Sequence, residues 1–170
     1  EGDTGTFEVS LSNPVDNATT LTFELDGEID ADDVGTPTAS IDGTDVTVTD
    51  NGNGTFSLDV PAGTTDGIVI SVPTTDDDVF EGPEDFTLTA TLTGETAAGN
   101  ALPNGITDSG NATIVDDGSG TPEDSDEEPD DDTPALTVAD AGTINEGDTG
   151  TFEVSLSNPV DNATTLTFEL

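Results

Sequence analysis

This chain has no lysine, arginine or histidine against 39 aspartates and glutamates, which gives a formal charge of −39 over 170 residues. No ion pair between its side chains can form. Self-repulsion on this scale destabilises a compact state unless ions screen or neutralise it, so whatever this chain folds into must coexist with cations. The imbalance also excludes functions. Nucleic acid and anionic membrane surfaces are bound through Lys and Arg, and both would repel this chain. With no His, Cys, Lys, Arg or Tyr, the usual nucleophile and base arrangements cannot be built. Carboxylate-pair chemistry of the glycosidase kind survives in principle, but the acids cluster with one another and lack the aromatic platforms of a sugar site, so the chain reads as a non-enzyme. The absence of cysteine rules out disulfides and thiolate metal sites. No apolar run approaches the roughly 20 residues of a membrane span, and no signal peptide is recognisable, so export signals would lie outside this stretch.

The segment Glu1 to Leu25 recurs unchanged at Glu146 to Leu170, an offset of 145 residues. A period this long means whole domains in series rather than a solenoid of small units. The segment ALTVADAGTIN, Ala135 to Asn145, has no counterpart before Glu1. The expected organisation is a β-sandwich repeat lacking its first strand over 1–118, an acidic linker over 119–134, and the start of the next repeat over 135–170. The C-terminal segment is then expected to complete a sandwich, its own or a neighbouring chain's, by strand pairing. The stretch VDDGSGTPEDSDEEPDDDTP, Val115 to Pro134, mixes Gly, Ser and Pro with like charges, as a self-repelling linker does. It reads either as a solvated spacer or as a connector stiffened by calcium.

Phe7, Val9 and Leu11 alternate with Glu8 and Ser10, and Leu21, Phe23 and Leu25 alternate with Thr22 and Glu24, the period of half-buried strands. Asp45 to Thr49 and Thr55 to Val60 flank an Asp/Asn/Gly cluster and predict a hairpin. Further strands are expected at Ile68 to Val72, Phe86 to Leu92, Ala112 to Val115 and Leu136 to Val138. Glu95 to Gly110 reads as a long loop without an evident strand, and no segment has helical periodicity. Short alternating strands with many Thr and Val and turns marked by Gly or Pro describe an all-β fold, an antiparallel sandwich of two sheets. Asn17, Asn53 and Asn111 match the N-glycosylation pattern, which Thr-rich strands also produce by accident.

Strand parity decides where the acids meet. The loop TTDDDVFEGPEDF, Thr74 to Phe86, shares a pole of such a sandwich with the end of the strand Ala112 to Val115 and with the first turn. That gathers Asp76, Asp77, Asp78, Glu81 and Glu84, then Asp116 and Asp117, then Glu1 or its repeat Glu146. Converging carboxylates are relieved by proton uptake or by a hard cation. Calcium takes roughly 6 to 8 oxygen ligands and needs no nitrogen or sulfur. Zinc and copper prefer imidazole or thiolate, and magnesium seldom uses an all-protein cage. Ca2+ is the expected ion, and a solvated acidic rim is the alternative.

The run DDDVFEGPEDFTLTATL followed by ATIVDD, with an INEGDTGTFEVSL start, is similar to the Calx-beta pattern, an Ig-like calcium-binding β-sandwich. Repeated in series and free of basic residues, it resembles the extender region of bacterial repeats-in-toxin (RTX) adhesins. The resemblance implies an extracellular, cell-surface spacer whose partners are neighbouring copies of the same repeat. It further implies calcium ligands among Asp76, Asp77, Asp78, Glu81, Glu84, Asp116, Asp117 and Glu1 or Glu146, and Asp130, Asp131 and Asp132 are candidates by position. A calcium-dependent carbohydrate-binding module is the competing reading. Most of its few phenylalanines, however, fall at core-facing strand positions, leaving no sugar-stacking surface.

Overall fold

The computed structural model describes residues 1–102, 106–115 and 133–169. These form an all-β structure of two antiparallel sheets and a separate hairpin. The first sheet has the order β1 (Thr4–Val9), β7 (Ile68–Pro73), β3 (Thr38–Ile41), β4 (Thr44–Val46). The second has the order β5 (Thr49–Asp50), β6 (Thr55–Val60), β2 (Thr19–Gly27), β8 (Glu84–Gly94), β9 (Ile106–Ile114). Period-2 alternation turns one face of each sheet inward. Ala39, Ile41, Ile68, Ile70 and Val72 from the first sheet meet Leu21, Phe23, Leu58, Val60, Leu88, Ala90 and Leu92 from the second. Each large side chain fully buried in this way contributes about 1.5–3 kcal/mol. Phe23 stacks on Phe56 at 5.4 Å between ring centroids, and Phe7 meets Phe86 edge-on at 5.9 Å.

Three sequence expectations are corrected. The strand expected over Asp45 to Thr49 is divided between the sheets: β4 pairs with β3, whereas β5 pairs with β6. The hairpin around residues 50–54 therefore survives only as the short β5–β6 pair. Secondly, β3 was not foreseen. It is four residues long and reaches β4 through Asp42 and Gly43, at φ 50° and 72°, the left-handed pair that a two-residue hairpin turn requires. Thirdly, the stretch read as a loop up to Gly110 contains the first half of β9, which pairs with β8 from Leu92↔Ile106 to Glu84↔Ile114. As a mostly exposed edge strand, β9 has no apolar alternation to betray it.

The repeated segment adopts two conformations. In the first copy Leu21 and Phe23 are 2% and 1% exposed, whereas their twins Leu166 and Phe168 are 55% and 77% exposed and lie outside any strand. The local sequence is the same. What differs is company: β2 has β6 and β8 as neighbours, and this chain carries each of those once. In the second copy β10 (Leu136–Val138) pairs only with β11 (Val154–Leu156). Among the described residues, then, the C-terminal segment joins neither sheet of its own chain. No helix long and apolar enough to cross a membrane is present among them.

Candidate metal centre

β2 and β8 run antiparallel, with Gly27 opposite Phe86, so the loop leaving β2 sits beside the start of β8. β8 and β9 also run antiparallel, with Glu84 opposite Ile114, which brings the end of β9 to the same pole. The N-terminal segment arrives there too: the Glu1 amino group donates to the Val115 carbonyl at 2.5 Å, and the Asp3 carbonyl accepts from the Thr74 N–H at 2.7 Å. Gly2, at φ 72°, packs where an added Cβ would lie 3.1 Å from the Asp76 side chain.

Within this pole, Asp33, Glu81 and Glu84 present carboxylate oxygens that all lie within 4.8 Å of one another. Asp33 is buried. It is held by a turn in which the Asp30 N–H donates to its carboxylate and the Asp32 N–H donates to Asp30 Oδ1 at 2.8 Å. Its own carbonyl accepts from the Thr75 N–H at 2.8 Å, next to the Val34↔Thr74 bridge. These bonds lock the β2–β3 loop against the β7–β8 loop. Glu84 opens β8 with Oε2 buried and no hydrogen-bond partner.

The electrostatics follow from that geometry. Burial, then Asp33 and Glu81, push Glu84 up to about 7. Burial, then Asp33, Asp77 and Asp161, push Glu81 up to about 6. At neutral pH the cluster must therefore hold a proton or attract a cation.

Of the residues singled out from sequence, Glu81 and Glu84 belong to this cluster, and Glu1 is close enough to raise Glu84. Asp77 acts on Glu81 and accepts the Val79 N–H at 2.7 Å. Asp76 and Asp78 are exposed on the same loop, outside the cluster. Glu146 is exposed in a turn and is not among the acids brought together. Asp116, Asp117, Asp130, Asp131 and Asp132 lie outside the described residues, as does the acidic linker up to residue 132.

Sequence reasoning missed Asp33, although the rule that found the other loops contained it: β2 ends at the pole where β8 begins, so the acid-rich loop after β2 belongs there by the same parity. It also missed Asp161. The second copy touches this pole through Asn158 to Asp161: the Phe80 N–H donates to the Pro159 carbonyl at 3.2 Å, and the Asp161 N–H donates to the Phe80 carbonyl at 3.3 Å. Asn158 Nδ2 reaches the Asp78 carbonyl at 3.4 Å. No protein-family model and no curated protein matches this sequence.

Proposed function

We propose that this chain is a calcium-binding spacer, an extender unit of the RTX-adhesin kind, working outside the cell to carry a distal binding region away from the surface. The observation that carries the reading is the buried, unpartnered Glu84 Oε2 beside Asp33 and Glu81. Leaving a buried polar atom without a partner costs about 1–3 kcal/mol, more when it is charged, and a hard divalent ion satisfies all three carboxylates at once. Asp33, Glu81 and Glu84 would hold it. With oxygen donors only, the set suits calcium and is a poor match for zinc or copper.

Mechanically, the ion would act where the repeats abut. The contact between Asn158–Asp161 and the Phe80 loop adjoins the cluster, and Asp161 adds to its negative field. Neutralising that field removes the repulsion between the copies and with it part of the hinge freedom. Extracellular calcium modules bind at roughly 10⁻⁴–10⁻³ M, a range in which an exported chain is loaded and an unexported one is not.

The test is titration of the metal-free chain with calcium by calorimetry, paired with small-angle scattering of a longer tandem array with and without chelator. Saturable binding that Glu84→Gln abolishes, and dimensions that lengthen with calcium, are the expected results. Unchanged heat and unchanged dimensions would reduce the chain to a solvated polyanion.

A further inference from the structure

An asparagine followed by glycine carries its carboxamide next to a backbone nitrogen that no side chain shields. Glycine follows asparagine at Asn51–Gly52, Asn53–Gly54 and Asn104–Gly105, and the last pair lies outside the described residues. The first two share the exposed turn between β5 and β6. Local sequence and exposure make them alike; their hydrogen bonds do not.

Asn51 is held at both ends of its carboxamide. Its Nδ2 donates to Thr55 Oγ1 at 3.1 Å, and its Oδ1 accepts from Ser57 Oγ at 3.2 Å. Its N–H donates to the Thr55 carbonyl at 3.0 Å, and the Gly52 N–H donates to Asp50 Oδ1 at 2.7 Å. Swinging this carboxamide onto the Gly52 nitrogen breaks several of these bonds together. The bond to Asn53 works the other way: Thr55 Oγ1 donates to its Oδ1 at 2.8 Å. Among the described residues, Asn53 Nδ2 and the Gly54 N–H have no hydrogen bond. Gly54 sits at φ 78° with nothing within 4 Å of where a Cβ would stand, so solvent reaches its amide.

We propose that Asn53 is a site of spontaneous modification, converting through a cyclic imide with Gly54 to aspartate and isoaspartate, with water as the co-reactant. The Gly54 nitrogen yields its proton to solvent hydroxide and attacks Asn53 Cγ. The N–Cγ bond forms and charge passes to Oδ1, where the Thr55 hydroxyl meets it as an oxyanion donor does. Collapse breaks the Cγ–Nδ2 bond, and the nitrogen leaves as ammonia with a proton from water. A water molecule then opens the ring, giving aspartate by attack at the side-chain carbonyl or isoaspartate by attack at the main-chain carbonyl. One water enters and one ammonia departs, with no change of oxidation state.

A single hydroxyl sets the selectivity. Thr55 Oγ1 accepts from Asn51 and spends its one proton on Asn53, so it restrains one carboxamide and polarises the other. The product adds a carboxylate to a chain with no basic side chain to answer it. Isoaspartate also inserts a methylene into the backbone beside β5, whose pairing with β6 is only Thr49↔Ser57 and Asp50↔Phe56. Conversion is expected to loosen that short strand.

The experiment incubates the 170-residue chain in mildly alkaline buffer with chelator, so that its outcome is independent of calcium. Cleavage after glutamate leaves Asn51 and Asn53 together on residues 29–81 and Asn104 on another peptide, and fragmentation in the mass spectrometer locates each exchange of NH2 for OH. Asn53 is expected to convert about tenfold faster than Asn51, the ratio that one or two hydrogen bonds of ordinary net strength impose. In denaturant the two rates should converge. Equal rates in the folded chain, a faster Asn51, or an Asn53 that does not convert overturns the proposal. Thr55→Val is expected to slow Asn53 and speed Asn51, whereas Ser57→Ala, which frees Asn51 Oδ1, should speed Asn51 alone. A ratio that neither substitution moves also overturns it.

Discussion

Asp33 and Glu84 bring carboxylate oxygens within 4.8 Å of one another, from the loop after β2 and the first residue of β8. The turn from Asp30 to Asp33 orients the Asp33 carboxylate but does not bring it to Glu84. The antiparallel register of β2 on β8 sets the approach, and the Asp33 carbonyl bonded to Thr75 fixes it.

That proximity has a pH signature. Glu84 is raised from 4.5 to about 7 and Glu81 from 4.5 to about 6, so in this range the folded state binds more protons than the unfolded one. Stability therefore falls as pH rises from about 4.5 to about 7 in metal-free solution. Thermal melts in chelator should show this decline, and Glu84→Gln, which stays neutral, should flatten it between pH 5 and about 7 relative to the parent chain.

Calcium should reverse the trend, because binding requires the deprotonated acids. With a dissociation constant near 10⁻⁴ M, 10 mM calcium stabilises the fold by about 2.7 kcal/mol. Melting with and without the ion at pH 7.5 measures this, and the gain should shrink toward pH 5. Asp33→Asn removes one charge from the set and should weaken binding about tenfold or more by calorimetry.

The two conformations of one sequence allow an internal control. Phe23→Ala empties a core position 1% exposed and should cost about 3–5 kcal/mol in chemical denaturation. Phe168→Ala changes the same residue in the same local sequence, but at a position 77% exposed, and should stay within about 0.5 kcal/mol in the monomeric chain.

Gly27 closes β2 at φ 155°, where an added Cβ would run into the Asp85 carbonyl and the Phe86 backbone. Gly27→Ala should destabilise by about 1–3 kcal/mol. Because it forces apart the strand ends that hold Asp33 and Glu84, it should also weaken calcium binding. Unchanged affinity in the folded variant would detach the cluster from this register.

The all-β class and the antiparallel two-sheet arrangement were legible because Phe7–Leu11, Leu21–Leu25 and Ile68–Val72 announce their inward faces by alternation. β9 was half hidden because ITDSGNATI sits at an edge, where water accepts any polar residue. β3 was too short to carry a pattern. Glu81 and Glu84 were legible through loop parity. Asp33 was not, because its significance is burial, and burial is a property of the loops folded over it rather than of the string DADDVG.

β2, the central strand of its sheet, has both its partners downstream, at Thr55–Val60 and Glu84–Gly94. A chain delivered N-terminus first therefore cannot close this sandwich until Gly94 has emerged. Until then its Leu21 and Phe23 would be as naked as Leu166 and Phe168 are here, and delivery in that direction would hold the sandwich open for most of its length.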